Sequence, residues 1–352
     1  MSPARCGLIH IPSYATEVTD ADEEVFLLYT RLASIHPVDG ESKEPFRGLG
    51  YLDGKSDTLT VRLELKPPTA EPPTSNTFTP TGKKSGRNKS RSAHGKAKKE
   101  NDDGTKVIEV ELAQDRTALR SRSGDTGSVL WRASIDFARF VLQQYHFPVS
   151  DGLFDPPDLD NAHILELGAG TGLFSLLIGT LVRRYTATDI PALVPLLQKN
   201  IPHQPPSSSS LHSHSHGHSQ TPTRPHSISA AALDWTLPVH RQLPDPVLQD
   251  TPDILLAVDC IYHPSLIPPL LKTIEELSTK DRTAVVIVCE LRAEDVVREF
   301  LEGWLNLSTG KGGEVGSKWR IWSLSDVEES QWNEDGGRGL GPRYGMWVGW
   351  KV

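Results

Sequence analysis

The amino-acid sequence predicts an α/β protein in which a mostly parallel sheet is covered by helices on both faces. Three observations support this prediction. A glycine-rich turn at residues 168–172 separates an apolar strand pattern from a helical pattern. Short, continuous apolar runs then alternate with helical patterns, as in parallel sheets that are buried on both faces. The last two strand patterns have no helix between them, which indicates an antiparallel end to the sheet.

Two strand patterns precede the main sheet. Residues 58–65 and 107–112 alternate apolar and polar side chains with a period of two, and we expect them to pair as an antiparallel hairpin. Residues 134–144 carry apolar side chains at helical spacing and predict an amphipathic helix. The hairpin is therefore assigned to an N-terminal extension (residues 1–125), and the main domain to residues 126–352.

The first strand of the main sheet leads directly into the glycine turn. Gly168, Gly170 and Gly172 stand at every second position, where they allow positive φ or a close approach of the backbone to a ligand. Leu173 stands where a dinucleotide-binding turn has its third glycine, so a pyrophosphate ligand is disfavoured. Glu166 places a carboxylate at the end of the strand, where it could bind a cationic group such as the ammonium of S-adenosylmethionine.

An acidic residue after the second strand favours a ligand that contains a ribose. Residues 174–183 are compatible with a helix, and residues 185–189 form a short strand pattern that ends in Asp189. This carboxylate lies about twenty residues after the glycines, a separation at which an acid reaches ribose hydroxyls in a βαβ unit. Together with Glu166 and the glycines, Asp189 predicts S-adenosylmethionine as the cofactor.

The alternation of strands and helices continues to the end of the chain. Further strands are predicted at residues 228–233, 253–258, 283–288, 319–324 and 343–350, and helices at residues 264–277 and 293–305. With the first two strands these make seven, as in the Rossmann-like sheet of class I methyltransferases.

Residues that follow the strands are candidates for the site, because open α/β sheets bind ligands at the carboxyl ends of their strands. The indole of Trp235 could stack on an adenine, although a core tryptophan would give the same pattern. Ala257 is small enough to let the cofactor lie close. Asp259 is expected to face the sulfonium and the nucleophile, or alternatively to cap the next helix. Tyr262 could form a wall of the acceptor channel.

The segment after the fourth strand also bears on the substrate. Enzymes that methylate planar amide or adenine nitrogens typically carry an Asn-Pro-Pro-aromatic motif here, whereas this chain has Asp259-Cys260-Ile261-Tyr262. A carboxylate can attract and orient a lysine ammonium before its deprotonation. We therefore expect direct, in-line methyl transfer to the neutral amine of a lysine. His263 is a candidate base, or else a helix-start residue.

Composition limits the class of protein. A formal charge of -8 over 352 residues counts against general affinity for nucleic acid. Cys6, Cys260 and Cys289 show no metal or redox spacing, which favours a reducing compartment and predicts no metal site. No apolar run approaches the ~20 residues that a membrane span needs. We expect a cytoplasmic protein with no membrane contact, the nucleus being the alternative.

Two low-complexity segments interrupt the predicted elements. Residues 67–106 include a basic run from Lys83 to Arg91 and have almost no apolar side chains. We expect a disordered insertion there, with an RNA-binding arm or a nuclear address as alternatives. Residues 203–227 are rich in His, Ser and Pro and are also expected to be disordered. Alternating histidines can bind metals adventitiously.

Several motifs taken together resemble the seven-strand protein-lysine methyltransferase family (family 16). They are Gly127-Ser128-Val129-Leu130-Trp131, the Glu166 to Gly172 segment, Asp189, Asp234-Trp235 and Asp259-Cys260-Ile261-Tyr262. The resemblance extends from about Tyr51 to the C-terminus, excluding the two insertions. It implies that S-adenosylmethionine contacts the following residues: Trp131, Gly168, Ala169, Gly170, Asp189, Trp235 and Ala257. It also implies that Asp259 and Tyr262 belong to the acidic-x-x-aromatic motif of the family.

Within that family the chain most resembles fungal enzymes that methylate a ribosomal protein. The implied partner is the L1 protein of the large ribosomal subunit, modified on a lysine by a monomeric enzyme without direct nucleic-acid binding. Two alternatives remain at this stage. An RNA methyltransferase would use the basic segment, but the acidic composition counts against it. The second is a non-catalytic module that binds the cofactor or a partner, but a decayed site would be expected to have lost some of Glu166, Gly168, Gly170 and Asp189.

Overall fold

The structure is a computed structural model that describes residues 5–34, 56–68, 104–115, 126–201, 226–307, 318–325 and 339–352. Within these ranges the strands are β1 (Arg5–Cys6), β2 (Ile9–His10), β3 (Thr16–Glu17), β4 (Thr58–Leu65), β5 (Lys106–Ala113), β6 (His163–Leu167), β7 (Arg184–Asp189), β8 (Ser227–Ala232), β9 (Ile254–Val258), β10 (Ala284–Glu290), β11 (Trp319–Ser323) and β12 (Tyr344–Lys351). Eight of them form the central sheet, in the order β3-β11-β12-β10-β9-β6-β7-β8.

The middle of this sheet is parallel and one end is antiparallel. Strands β8, β7, β6, β9 and β10 pair in parallel, whereas β12 is antiparallel to β10 and β11 is antiparallel to β12. Counted from β6 as the first strand, the seven predicted strands stand in the order 3-2-1-4-5-7-6. The predicted Rossmann-like seven-stranded sheet is confirmed. Its strand order reverses between the parallel strands β6 and β9, where such sheets bind ligands.

Helices cover both faces of the sheet. They are α1 (Ala21–Ala33), α2 (Arg132–His146), α3 (Pro156–Leu159), α4 (Leu173–Leu177), α5 (Val194–Asn200), α6 (Asp245–Gln249), α7 (Ile267–Leu277) and α8 (Glu294–Asn306). Alternate side chains of β6 enter two separate cores: Ile164 packs in a cluster with Phe137 of α2, and Leu165 in a cluster with Trp304 of α8. The predicted helix at 174–183 is shorter, since Gly179 and Thr180 disfavour helix and a 3₁₀ turn replaces its second half.

The predicted hairpin is present beside the main sheet. Strands β4 and β5 pair antiparallel from Thr58↔Ala113 to Leu65↔Lys106. A two-stranded hairpin is only marginally stable by itself, so it has to pack its apolar face against the rest of the protein. Leu63, Leu65 and Leu112 of the hairpin are fully buried in the core that also contains α2. Most of the two low-complexity segments, residues 69–103 and 202–225, lies outside the described residues.

The N-terminal elements were not predicted from the sequence. Strand β3 adds to the edge of the sheet beside β11, and the side chain of Asp20 caps α1 by accepting hydrogen bonds from the N–H groups of Asp22 and Glu23. Strands of two residues are too short to show a periodicity. Helix α1, however, has Asp20 followed three residues later by Glu23, a recognisable helix-start signal. None of the described helices is both long and apolar enough to cross a membrane.

Candidate active site

A cavity of about 540 Å³ opens at the carboxyl end of the sheet. Its wall includes the turn after β6, Asp189 at the end of β7, Trp235 after β8 and Asp259 after β9. The cavity therefore lies where the strand order reverses, and its volume falls in the range of small-molecule sites.

Glycine is required at two positions of the turn that forms the cavity floor. Gly168 has φ +70°, and a Cβ atom there would lie 2.7 Å from the Cys260 Sγ. Gly170 has φ +55°, and a Cβ atom there would lie 2.9 Å from the carbonyl oxygen of Gly127. Both the backbone conformation and the available space therefore exclude a larger side chain. Both glycines and Ala169 between them line the cavity.

The carboxylate of Asp189 joins the second strand to this turn. Its Oδ2 accepts a hydrogen bond from the Gly170 N–H at 2.8 Å, and its Oδ1 accepts one from the Ile190 N–H at 2.7 Å. The residue is 8% exposed and lines the cavity. A carboxylate accepts more than two hydrogen bonds, so this arrangement is compatible with the predicted contact to ribose hydroxyls.

Two predicted tryptophans form aromatic walls. Trp131 precedes α2 and its Nε1 donates to the carbonyl oxygen of Thr126 at 2.8 Å. The Trp235 ring lies 3.3 Å from the position that a Cβ of Gly168 would occupy, which places the indole against the glycine turn. Its buried Nε1 has no hydrogen-bond partner among the described residues. Both side chains line the cavity.

The structure differs from the prediction at Glu166 and Ala257, neither of which lines the cavity. Glu166 is 2% exposed and accepts a hydrogen bond from the Tyr185 hydroxyl at 2.7 Å. Burial, and to a smaller extent the charge of Asp189, raise the pKa of Glu166 to about 8 despite the opposing effect of the Tyr185 hydrogen bond. Ala257 packs in one core cluster, and Tyr185, the partner of Glu166, packs in the other. Both side chains therefore enter the covered faces of the sheet and not the cavity. Val258, not Ala257, lines the cavity.

Asp259 adopts an unusual backbone conformation at the exit of β9. Its φ is +59°, a left-handed value that few residues other than glycine adopt, and its N–H donates to the Val288 carbonyl oxygen at 2.7 Å. The side chain is only 4% exposed. It does not cap the following helix, since His263 does so by accepting a hydrogen bond from the Ser265 N–H at 3.2 Å. The helix-start interpretation of His263 is thus supported by its contacts.

Arg292 is the main partner of Asp259 and was missed in the sequence. Its Nη2 and Nη1 contact the two carboxylate oxygens at 2.6 and 3.1 Å, and Nη2 also contacts Glu290 at 2.7 Å. Burial alone would lower the pKa of Arg292, but Asp259 and Glu290 outweigh it and raise the pKa. Glu290 and Arg292 lie at the exit of the fifth strand, a position that the rule on strand ends could have identified.

Tyr262 and Cys260 complete this side of the cavity. Tyr262 is 39% exposed, so its ring is accessible at the cavity wall. The Cys260 thiol lies 3.2 Å from the carbonyl oxygen of Leu167, and burial raises its pKa well above the usual value. A thiol of this kind is a packing group and not a nucleophile.

The residues present fit S-adenosylmethionine. The turn from Gly168 to Gly170 lines the cavity, and an aromatic wall and a carboxylate stand beside it. This combination accommodates an adenosine whose ribose carries no phosphate.

Comparison with known proteins gives one family and several relatives. A family model described as lysine methyltransferase matches residues 113–304. The "Ribosomal lysine N-methyltransferase 5" of Kluyveromyces lactis is 30% identical over 54% of this chain and 69% of its own length. The protein of the same name from Candida glabrata is 28% identical over 80% and 88% of the two chains. "Protein N-lysine methyltransferase METTL21A" of Danio rerio is 28% identical over 53% and 68%.

Solved structures resemble the chain more distantly. A TehB-like S-adenosylmethionine-dependent methyltransferase from Corynebacterium glutamicum matches with a TM-score of 0.32 and 13% identity, over 55% of this chain and 81% of that one. The strand order described above, rather than this match, carries the fold assignment.

Proposed function

Because this chain belongs to the lysine methyltransferase family, we propose that it methylates a lysine of a large-subunit ribosomal protein of the L1 type. The protein is an S-adenosylmethionine-dependent protein-lysine N-methyltransferase. The proposed target is supported by relatives from two yeasts whose names specify a ribosomal lysine. The observation that carries the proposal is a single cavity shared by the glycine turn, Asp189, Asp259 and Tyr262.

The cofactor side of the cavity is assigned by contact chemistry. When bound, S-adenosylmethionine supplies an electrophilic methyl group on a positively charged sulfur. In this proposal the backbone from Gly168 to Gly170 lies against the cofactor, and Asp189 binds the ribose hydroxyls. Trp131 and Trp235 contribute aromatic surface, which excludes water and strengthens electrostatic interactions in the site.

The acceptor side is assigned to Asp259 and Tyr262. Their role is to orient the lysine side chain so that its neutral amine lies in line with the methyl group. Positioning of this kind can supply several of the roughly 7–11 kcal/mol that approximation effects provide. The Nδ1 of His263 is occupied by Ser265, so we assign this residue to the helix start and not to proton removal.

The enzyme acts as a monomer on a protein substrate in the cytoplasm, with the nucleus as the alternative location. Direct binding to nucleic acid is not part of the proposal, because the chain carries a formal charge of -8.

Transfer of a radiolabelled methyl group to ribosomal proteins tests this function. Ribosomes from cells that lack the enzyme are incubated with the purified protein and labelled S-adenosylmethionine, and the labelled peptide is identified by mass spectrometry. We expect the label on one lysine of the L1-type protein, and none with Gly170→Arg. Label in RNA alone, or only in proteins outside the large subunit, would contradict the proposed target.

A further inference from the structure

Asp259 belongs to a cluster of three charged side chains beside the cavity. The guanidinium of Arg292 contacts both carboxylate oxygens of Asp259 and one of Glu290. The side chains of Asp259 and Glu290 are 4% and 15% exposed and that of Arg292 is 30% exposed, so the two carboxylates are largely shielded from water. Shielded, bidentate contacts fix the geometry of a carboxylate much better than exposed ion pairs do.

The same guanidinium also covers an aromatic wall of the cavity. The Arg292 Cζ lies 4.9 Å from the centre of the Trp131 ring. Trp131 and Asp259 both line the cavity, whereas Arg292 and Glu290 do not. One arginine thus contacts two cavity residues that come from distant parts of the chain.

We propose that Arg292 is a positioning residue for methyl transfer, which holds the Asp259 carboxylate and the Trp131 ring in the arrangement that binds the acceptor and the cofactor. This inference rests on the proposed function. A lysine at position 292 would keep the charge, but it could not make the forked contact or stack on the ring with a planar group.

A second arginine offers a matched comparison at the far edge of the sheet. Arg320 makes a bidentate pair with Glu17 at 2.8 and 3.0 Å, and its Cζ lies 5.2 Å from the Trp322 ring. Arg320 thus shares with Arg292 a bidentate carboxylate and a nearby indole, although Glu17 is more exposed (37%) than Asp259 (4%) and Arg320 lacks a contact like that with Glu290. None of Arg320, Glu17 and Trp322 lines the cavity. Arg320→Lys therefore reports what the loss of such a cluster does to stability alone.

The test compares Arg292→Lys with Arg320→Lys in the full-length protein. For Arg292→Lys we expect kcat on the protein substrate to fall at least about tenfold and the calorimetric Kd for S-adenosylmethionine to rise about threefold, since small displacements of positioning groups are costly. Arg320→Lys should leave both values within twofold. Unchanged kcat and Kd in Arg292→Lys, or an equal loss in Arg320→Lys, would overturn the proposal.

Coupling to Asp259 separates positioning from general destabilisation. Once Asp259→Asn is present, adding Arg292→Lys should lower kcat by less than twofold, because the two residues act as one unit. Full additivity of the two losses would overturn the proposal. Glu290→Gln provides a milder variant if Arg292→Lys folds poorly, and a smaller loss in the same direction is expected. If the parent bound S-adenosylmethionine but methylated no ribosomal protein, the proposed target would fail, whereas a raised Kd in Arg292→Lys would still support this inference.

Discussion

The carboxyl ends and the amino ends of the parallel strands form two opposite edges of the central sheet, the carboxyl edge and the amino edge. These two edges use the same chemical groups for different purposes. At the carboxyl edge, Asp189 accepts a hydrogen bond from the Gly170 N–H and lines the cavity. At the amino edge, Asp253 accepts a hydrogen bond from the His163 N–H at 2.8 Å but does not line the cavity. A carboxylate beside a strand therefore indicates a ligand only when it lies at the carboxyl end of that strand, as expected for open α/β sheets.

The basic segment joins the fold away from the carboxyl edge of the sheet, and the His-rich segment returns to the fold at the amino edge. The basic segment interrupts the hairpin between Leu65 and Lys106, and the flanking Lys66 exchanges hydrogen bonds with Gln143 near the end of α2. Helix α2 begins next to Trp131 at the cavity, and fifteen residues of helix span about 22 Å. The attachment points of the basic segment are therefore remote from the site. The His-rich segment re-enters the sheet at β8, whose first residue pairs with Arg184 at the start of β7.

Replacement of a glycine in the turn should have the largest effect on the carboxyl edge. Gly170→Arg combines an unfavourable φ of +55° with a Cβ only 2.9 Å from the Gly127 oxygen, so binding of S-adenosylmethionine should weaken at least about 100-fold. Gly341 is the matched control, because its φ is +83° but no atom of the described residues lies within 4 Å of its Cβ position. Calorimetry should show normal binding for Gly341→Arg. Equal losses in both variants would mean that backbone strain, and not the site, explains the effect.

Matched carboxylate substitutions should give an intermediate effect. Asp189→Asn weakens the contact to the Gly170 N–H and removes the charge at the cavity, so the Kd for S-adenosylmethionine should rise about tenfold. Asp253→Asn weakens a similar contact to the His163 N–H at the opposite edge and should leave this Kd within twofold. Thermal unfolding of both variants serves as the control for stability. If Asp253→Asn weakened cofactor binding as much as Asp189→Asn, the functional difference between the edges would disappear.

Glu166 should affect the stability of the protein and not the binding of S-adenosylmethionine, because its side chain does not line the cavity. Its folded-state pKa of about 8 exceeds the ordinary value of 4.5, so its contribution to stability is complete below about pH 4.5 and is lost as the pH rises toward 8. Gln at this position can still accept the Tyr185 hydrogen bond but does not ionise. The unfolding free energy of Glu166→Gln relative to the parent should therefore increase by about 2–4 kcal/mol from pH 5 to pH 8. A difference that stays constant over this range would show that Glu166 titrates normally.

A site residue could be predicted where its position depends on its neighbours in the chain, and not where it depends on contacts with distant residues. Gly168, Gly170 and Asp189 line the cavity, as expected, because their positions depend only on a strand and the residues directly after it. Their contacts with the cofactor remain a prediction. Glu166 and Ala257 were assigned to the cavity because the sequence does not show which face of a buried strand a side chain enters. The contact between Arg292 and Trp131 joins residues far apart in the chain, and periodicity carries no information about such contacts. The short strand β3 lacks any periodicity, although the cap of α1 was readable.

Removal of the basic segment should have the smallest effect and tests the amino edge directly. Replacing residues 69–103 with a short Gly-Ser linker keeps the paired strands and the contacts of Lys66 with Gln143. Since loop length changes the closure entropy only slowly, the unfolding free energy should rise by only about 1–2 kcal/mol. The Kd for S-adenosylmethionine and kcat on isolated protein substrate should stay within twofold. A large loss of kcat with normal cofactor binding would instead assign the basic segment to substrate recognition, because its length could then be reaching around the fold to the acceptor side.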